Sequence, residues 1–179
     1  RSLQRQGTDT KNTGDELTPT VLNWVGVGEE EVVSITMSDG EREAFLADVH
    51  VGVLSVSRPS HGPLAVPVWY TYTAGGTVSF ITEKTSRKSQ LIVRAGRFSL
   101  CAQTETAPYK YVSVEGPVTS IEDRVDPDER RALAYRYLGP EFGDLYLAAT
   151  EADAETNCVI RMTPESWLSA DFAKEFGGS

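Results

Sequence analysis

Cysteine and histidine are scarce: two of each stand among 179 residues. Two thiols cannot build a disulfide framework or a four-cysteine zinc site, and two histidines do not make a histidine-rich metal cage. Cys101 and Cys158 each sit in an apolar run (SLCAQ, NCVIRM), the setting of a small buried hydrophobe rather than a working thiol. Long apolar runs are missing as well. No stretch approaches the ~20 residues of a membrane span, and no early segment joins a basic start to an apolar stretch as a signal peptide does. The default expectation is a cytoplasmic, reduced protein. Positive charge is in deficit: 17 Lys and Arg stand against 26 Asp and Glu, a net charge of −9. Such a surface repels phosphate backbones and anionic lipid, which excludes a generic nucleic-acid binder and a membrane-adhering protein.

What is present suits one domain. A chain of 179 residues that is 40% hydrophobic can close a real core. Residues 1–36 read differently from the rest: GTDTKNTGDELTPT is polar and turn-rich, and only VLNWVGV and EEEVVSITM hold strand-like residues. They are expected to form an N-terminal extension or arm, with residues 37–179 as the folded domain; Met37 before SDGEREAF even suits a start site. Ser38 and Glu41 make a capping-box pattern ahead of a short helix, EREAFLADV.

VGVLSV (51–56) reads as a buried strand and SRPSHGP as a turn. LAVPVWYTYT (64–73) is then a second strand, closed by Ala74-Gly75-Gly76 into a hairpin with TVSFIT (77–82). TSRKSQLIVRAG reads as a helix that starts at Thr85 or Ser86 and stops at Gly96. RFSLCAQ and YKYVSVEGPVTSIE are two further strands. Asp126 and Pro127 start a helix that runs to Gly139-Pro140, and EFGDLYLAAT is another. NCVIRMTP returns to strand, and WLSADFAKEF is a short tail. About six strands, mostly antiparallel and hairpin-linked, exclude a doubly wound sheet and predict a mainly β fold, a small barrel with peripheral helices.

Charge is uneven along the chain. Between Glu83 and Glu105 there is no acid, while Lys84, Arg87, Lys88, Arg94 and Arg97 all fall there. Arg94, in the last turn of its helix, complements the macrodipole as an ordinary solvated cation does. Arg87 and Lys88 lie in the first turn, where the dipole disfavours them. A helix start with free N–H groups, hydroxyls from Thr82, Thr85 and Ser86, and two cations suits a bound phosphate; a solvated basic face is the plainer alternative.

FITEKTSRKSQLIVRAGRFSLCAQ resembles the pyridoxamine 5′-phosphate oxidase family of flavin-binding split β-barrels. The elements that carry the likeness are Phe80-Ile81-Thr82, Ser86-Arg87-Lys88 and Arg97-Phe98-Ser99-Leu100, with VPVWY before them and the Val-x-Val-x-Gly run of KYVSVEGPVTSIE after. It spans roughly residues 45 to 122, with a weaker echo in VIRMTPESWLSADF. The resemblance implies a six-stranded antiparallel split β-barrel in which Arg87 and Lys88 hold the phosphate of FMN, helped by Thr82 and Ser86. Val66, Pro67, Val68 and Trp69 would line the isoalloxazine ring. Lys110 and Tyr111 match positions that the family often presents from the partner subunit, and Trp167 would cover the ring. For Trp69, Tyr111 and Trp167, plain core packing is the alternative.

The likeness departs in three places. Val66 stands where the authentic oxidase has an arginine, Tyr111 replaces its glutamine, and its Arg-x-His signature has no counterpart in AKEFGGS. It therefore implies the fold and a phosphate-bearing flavin rather than vitamin B6 oxidation. The leading expectation is an FMN-dependent oxidoreductase moving a hydride between flavin N5 and a small substrate. The same fold with coenzyme F420 would need further cations for its longer anionic tail, from Lys84, Arg94 or Arg97. A non-enzymatic barrel binding flavin or haem is the third reading, with His50 or His61 as the only candidate haem ligands. The resemblance also implies a homodimer with cofactor sites at the interface. The arm, with Val21, Leu22 and Trp24, is expected to wrap the partner.

Overall fold

Alternation along VLSVS, FSLCA and YVSVE buries one side of each strand and leaves the other to solvent. The structure, a computed structural model, describes residues 34–176. In order these form α1 (Asp39–Ala47), β1 (Gly52–Arg58), β2 (His61–Val68), β3 (Val78–Glu83), α2 (Arg87–Ala95), β4 (Arg97–Gln103), β5 (Lys110–Glu122), α3 (Pro127–Ala149), β6 (Asn157–Met162) and β7 (Ser166–Asp171). Short 3-10 turns cover Glu151–Glu155 and Phe172–Phe176. Val21, Leu22 and Trp24, with nearly all of the expected arm, lie outside the described residues. The folded body already includes the chain just before Met37: Asp171 donates its N–H to the Ile35 carbonyl at 2.8 Å, and Met37 is buried.

The strands pair antiparallel in the order β2-β1-β4-β5-β6-β3, and β7 adds to β5. Strand β5 makes the barrel split. Along one edge it pairs with β4; along the other, Lys110–Glu115 pairs with β7 and Val118–Glu122 with β6, across a bulge between Val118 and Ser120. Leu54, Phe80, Ile92, Leu100, Val112 and Ile160 fill the space enclosed by the curl. Helix α1 keeps both halves of its capping box: the Ser38 hydroxyl accepts from Glu41 N–H at 3.4 Å, and the Glu41 carboxylate accepts from Ser38 N–H at 2.6 Å. The Lys174 ammonium on that carboxylate, and then the Ser38 N–H, hold the Glu41 pKa down at about 2. Among the described residues, no helix is long and apolar enough to cross a membrane.

The mainly β split barrel with peripheral helices is as expected, but three local expectations are corrected. WLSAD is a seventh strand and not a tail; it lacks alternation because Ser169, Ala170 and Asp171 are buried in succession. The hairpin across Gly75-Gly76 shrinks to one bridge, Thr71 to Ser79, and β3 pairs with β6 instead. The chain leaves the sheet after Val68 because its aromatics go elsewhere: Tyr70 is fully buried with its hydroxyl on the Leu46 carbonyl, and Trp69 stacks on Tyr137 of α3. VGVLSV is buried on one side only, through Leu54 and Val56, while Val51 and Val53 face solvent.

Candidate functional site

Helix α2 starts where the basic island lies. Ser86 is its N-cap, with the hydroxyl accepting from Ser89 N–H at 3.3 Å, and Gly96 ends it at φ +67°. Hydroxyl protons around this cap have a defined direction. The Glu83 carbonyl can only accept, so Ser89 donates to it at 2.8 Å; Ser86 must then donate to Ser89, also at 2.8 Å. Thr82, buried and 3.4 Å from the Ser86 hydroxyl, is the head of this chain and donates its proton to Ser86.

The cations of the island are not equivalent. Lys84 donates its ammonium to the Glu155 carbonyl at 3.1 Å. Arg97 pairs with Glu115 at 3.3 Å and with Glu165 at 3.5 Å. Arg87, Lys88 and Arg94 make no ion pair among the described residues, and Arg94 sits at the far end of the helix. Only Arg87 and Lys88 are therefore both uncommitted and at the helix start.

Lys88 opens onto a cleft of about 520 Å³. One wall is Val51, Pro67, Val68 and Trp69, from the residue before β1 and from the end of β2 and the residue after it. Opposite stand Leu133, Ala134 and Tyr146 of α3. Thr82, Glu83, Asp153 and Asn157 join Lys88 at the polar end.

Helix α3, broken by a kink at Gly139 (φ +72°) into the two helical segments expected, is held over the cleft by specific bonds. Arg161 on β6 pairs with Glu129 at 2.9 Å and Glu122 at 2.9 Å, and both carboxylates keep its guanidinium firmly charged. Arg136 donates to the Ala47 and Asp48 carbonyls at 2.7 and 2.6 Å. The Tyr137 hydroxyl lies 2.8 Å from the His50 carbonyl and 3.0 Å from the Tyr70 carbonyl, and it accepts from Tyr70 N–H at 3.0 Å. Burial pushes its pKa up, so it stays a phenol. Its ring stacks on Trp69 with centroids 5.0 Å apart and planes 5° from parallel, and Tyr146 leans on the same indole at 5.4 Å.

Of the residues expected at the site, Thr82, Lys88, Pro67, Val68 and Trp69 line this one cleft, Ser86 adjoins it through Thr82, and Arg87 is exposed beside it. Four do not reach it within their own chain. Val66 packs on the core. Lys110 pairs with the buried Asp171 at 2.7 Å, and Tyr111 lies with it around a separate depression. Trp167 packs beneath the Arg42 guanidinium at 4.8 Å and against the edge of Tyr72. Neither histidine lines the cleft: His50 stacks on Phe45 at 4.3 Å, with its pKa lowered by burial, and the Nδ1 of His61 lies 2.9 Å from the Pro59 carbonyl. Burial raises the pKa of both thiols; Cys158 is buried as expected, whereas Cys101 is half-buried on the outer side of β4.

Sequence reasoning missed the α3 wall, together with Glu83, Asp153 and Asn157. The signal was present in α3: Arg130, Leu133, Ala134 and Tyr137 follow the i, i+3, i+4, i+7 spacing of one helical face.

Fold and site together define a split β-barrel whose cleft runs from an apolar, aromatic wall to a basic helix start. The family model for pyridoxamine 5′-phosphate oxidase matches residues 38–170, and the chain belongs to that family. Among solved structures it is similar to an F420 reductase (TM-score 0.58, 22% identity, 70% of this chain and 94% of that one). It is also similar to a conserved hypothetical protein from Mycobacterium tuberculosis (TM-score 0.63, 22% identity, 79% and 89%). A third is an FAD-binding protein from Mesorhizobium loti (TM-score 0.52, 17% identity, 75% and 94%). At these identities the likeness is one of fold. Comparison with curated proteins gives no match.

Proposed function

We propose that the chain is an FMN-dependent oxidoreductase with the phosphate at the start of α2 and the ring between β2 and α3. The observation that carries this reading is the uncommitted charge at that helix start. The first two main-chain N–H groups of α2, from Arg87 and Lys88, have no acceptor among the described residues, and their side chains have no carboxylate. Two amides and two cations at one point are the donor set that a phosphate monoester takes. Thr82 adds a hydroxyl at the polar end, whose long 3.4 Å bond to Ser86 is exchanged for one to the phosphate. The similar folds of an F420 reductase and an FAD-binding protein support a flavin-type cofactor.

When bound, the flavin supplies the hydride chemistry at N5. The chain's residues bind and orient it: Val51, Pro67, Val68 and Trp69 offer a dry wall to a planar ring, and Leu133 and Ala134 keep water from the other side. FMN is favoured over coenzyme F420 because Lys84 and Arg97, two of the cations that a longer anionic tail would need, are already tied to protein acceptors. The test is an absorption spectrum of the purified chain with and without FMN. Retained flavin bands that bleach on reduction are expected, and failure to retain any flavin would sink the reading.

The homodimer belongs to the same proposal. Outward-facing residues of successive strands form a rung, Pro67–Val53–Cys101–Ser113–Leu168, beginning at the cleft wall. The next rung, Ala65–Ser55–Ser99–Glu115–Ser166, is as small but for its glutamate. A second copy seated on this face would bring Lys110 and Tyr111 toward the cleft they do not reach within one chain. Light scattering is expected to give twice the monomer mass for the wild type and a monomer for Val53→Glu, which places a charge on the face. A monomeric wild type would remove the dimer from the proposal.

A further inference from the structure

The polar end of the cleft carries acid as well as base. Glu83 and Asp153 line it beside Lys88, and both are exposed. Arg130 lines it too, with one guanidinium nitrogen, Nη2, held by the Thr150 carbonyl and hydroxyl, each at 2.6 Å. The two acids have fixed places. Glu83 accepts from the Thr85 hydroxyl at 2.5 Å and sits across the ladder from Asn157. Lys84 clips the Glu151–Glu155 turn against the end of β3, through its N–H on the Thr156 carbonyl at 3.0 Å and its ammonium on the Glu155 carbonyl at 3.1 Å. That clip leaves Asp153 on the cleft wall and holds the Lys84 ammonium on the turn.

We propose that Glu83 and Asp153 determine specificity: the cleft accepts a ligand ending in one phosphate and turns away tails that carry further negative charge. The inference rests on the phosphate site at the start of α2. A phosphate monoester, of charge about −1.5 to −2, is matched by Arg87 and Lys88. Any additional anionic group meets two carboxylates, while the nearby Lys84 ammonium and Arg130 Nη2 are held on the Glu155 and Thr150 carbonyls. Like charges a few ångströms apart at a solvated rim change affinity by about tenfold.

The experiment titrates the full-length apo-protein with riboflavin, FMN, FAD and coenzyme F420, as the wild type and as the double variant Glu83→Gln, Asp153→Asn. The wild type is expected to favour FMN over FAD and F420 by about tenfold or more. The double variant is expected to bind FAD and F420 about tenfold more tightly, with FMN changed by less than about threefold. Glu83→Lys, which adds a cation at the same place, is expected to gain more than Glu83→Gln. The wild-type preference should also shrink as salt is raised, because the acids act through solvent. An unchanged FAD-to-FMN ratio in the double variant, with FMN still bound more tightly than riboflavin, overturns the specificity role alone. If the wild type binds FMN no better than riboflavin, the phosphate site fails and this inference fails with it.

Discussion

Replacing Arg87 and Lys88 together with alanine is expected to weaken FMN binding by about 10²- to 10⁴-fold while the fold stays intact. A hydrogen bond to a charged group contributes ~1.5–3 kcal/mol, and two of them are removed. The fold has no reason to suffer. Arg87 is exposed, Lys88 is half-buried, and neither makes an ion pair among the described residues. Cations in the first turn oppose the helix dipole by a few tenths to ~1 kcal/mol, and alanine is the best helix former. The double variant should therefore melt no lower than the wild type while binding FMN far more weakly, two effects of opposite sign that no general loss of structure produces. Riboflavin is the internal control, because it lacks the phosphate: its affinity should be the same in both proteins. Fluorescence titrations with the two ligands check this, and an unchanged FMN affinity would end the phosphate assignment.

That pair of residues marks how far the site was legible from sequence. The acid-free run from Lys84 to Arg97 is plain in the sequence, and its position at a helix start follows from Ser86 and Gly96. Which of its cations are free is not plain. Lys84 and Arg97 resemble Arg87 and Lys88 until the folded chain brings Glu155, Glu115 and Glu165 to them. Local chemistry was read well throughout. Ser38 with Glu41 forms both bonds of its box, and Asp126 accepts from Asp128 N–H at 2.7 Å with Pro127 in the first turn. Such caps depend on neighbours within a turn.

Strand partnership does not. β3 chose β6 over the nearer β2 because Trp69 and Tyr70 were drawn to α3 and α1, and nothing local to Gly75-Gly76 records that competition. The cleft divides in the same way. The wall from β2, β3 and α2 was legible; the wall from α3 depends on Arg161, Arg136 and Tyr137 fixing that helix across the sheet.

The largest expected effect on stability comes from one methyl group. Gly116 closes the Val-x-Val-x-Gly run of β5, at the point where that strand passes from β7 to β6. A Cβ there would lie 1.9 Å from the Thr163 carbonyl oxygen and 2.9 Å from its carbon. These are backbone atoms, and they cannot retreat freely. The corner after β6 is laced to β5 on both sides of the glycine, by Thr163 N–H on the Pro117 carbonyl at 3.1 Å and Glu165 N–H on the Glu115 carbonyl at 2.9 Å. Across the ladder stands Phe98, buried edge-on against Phe80 at 5.5 Å. Making room therefore breaks two main-chain bonds, each worth ~1 kcal/mol, on top of the strain of overpacking a filled interior.

Gly116→Ala is expected to cost about 3 kcal/mol or more, a drop of roughly 6–12 °C in Tm for a domain of this size. Gly40→Ala is the contrast: the added Cβ meets nothing within 4 Å in the first turn of α1, so this change should stabilise by up to ~1 kcal/mol. Thermal melts of the two variants read opposite signs if close approach, and not chain flexibility, is what requires glycine at 116. A Gly116→Ala protein that melts with the wild type would show that the corner gives way, and that β5 can change partners without a bare backbone at the crossing.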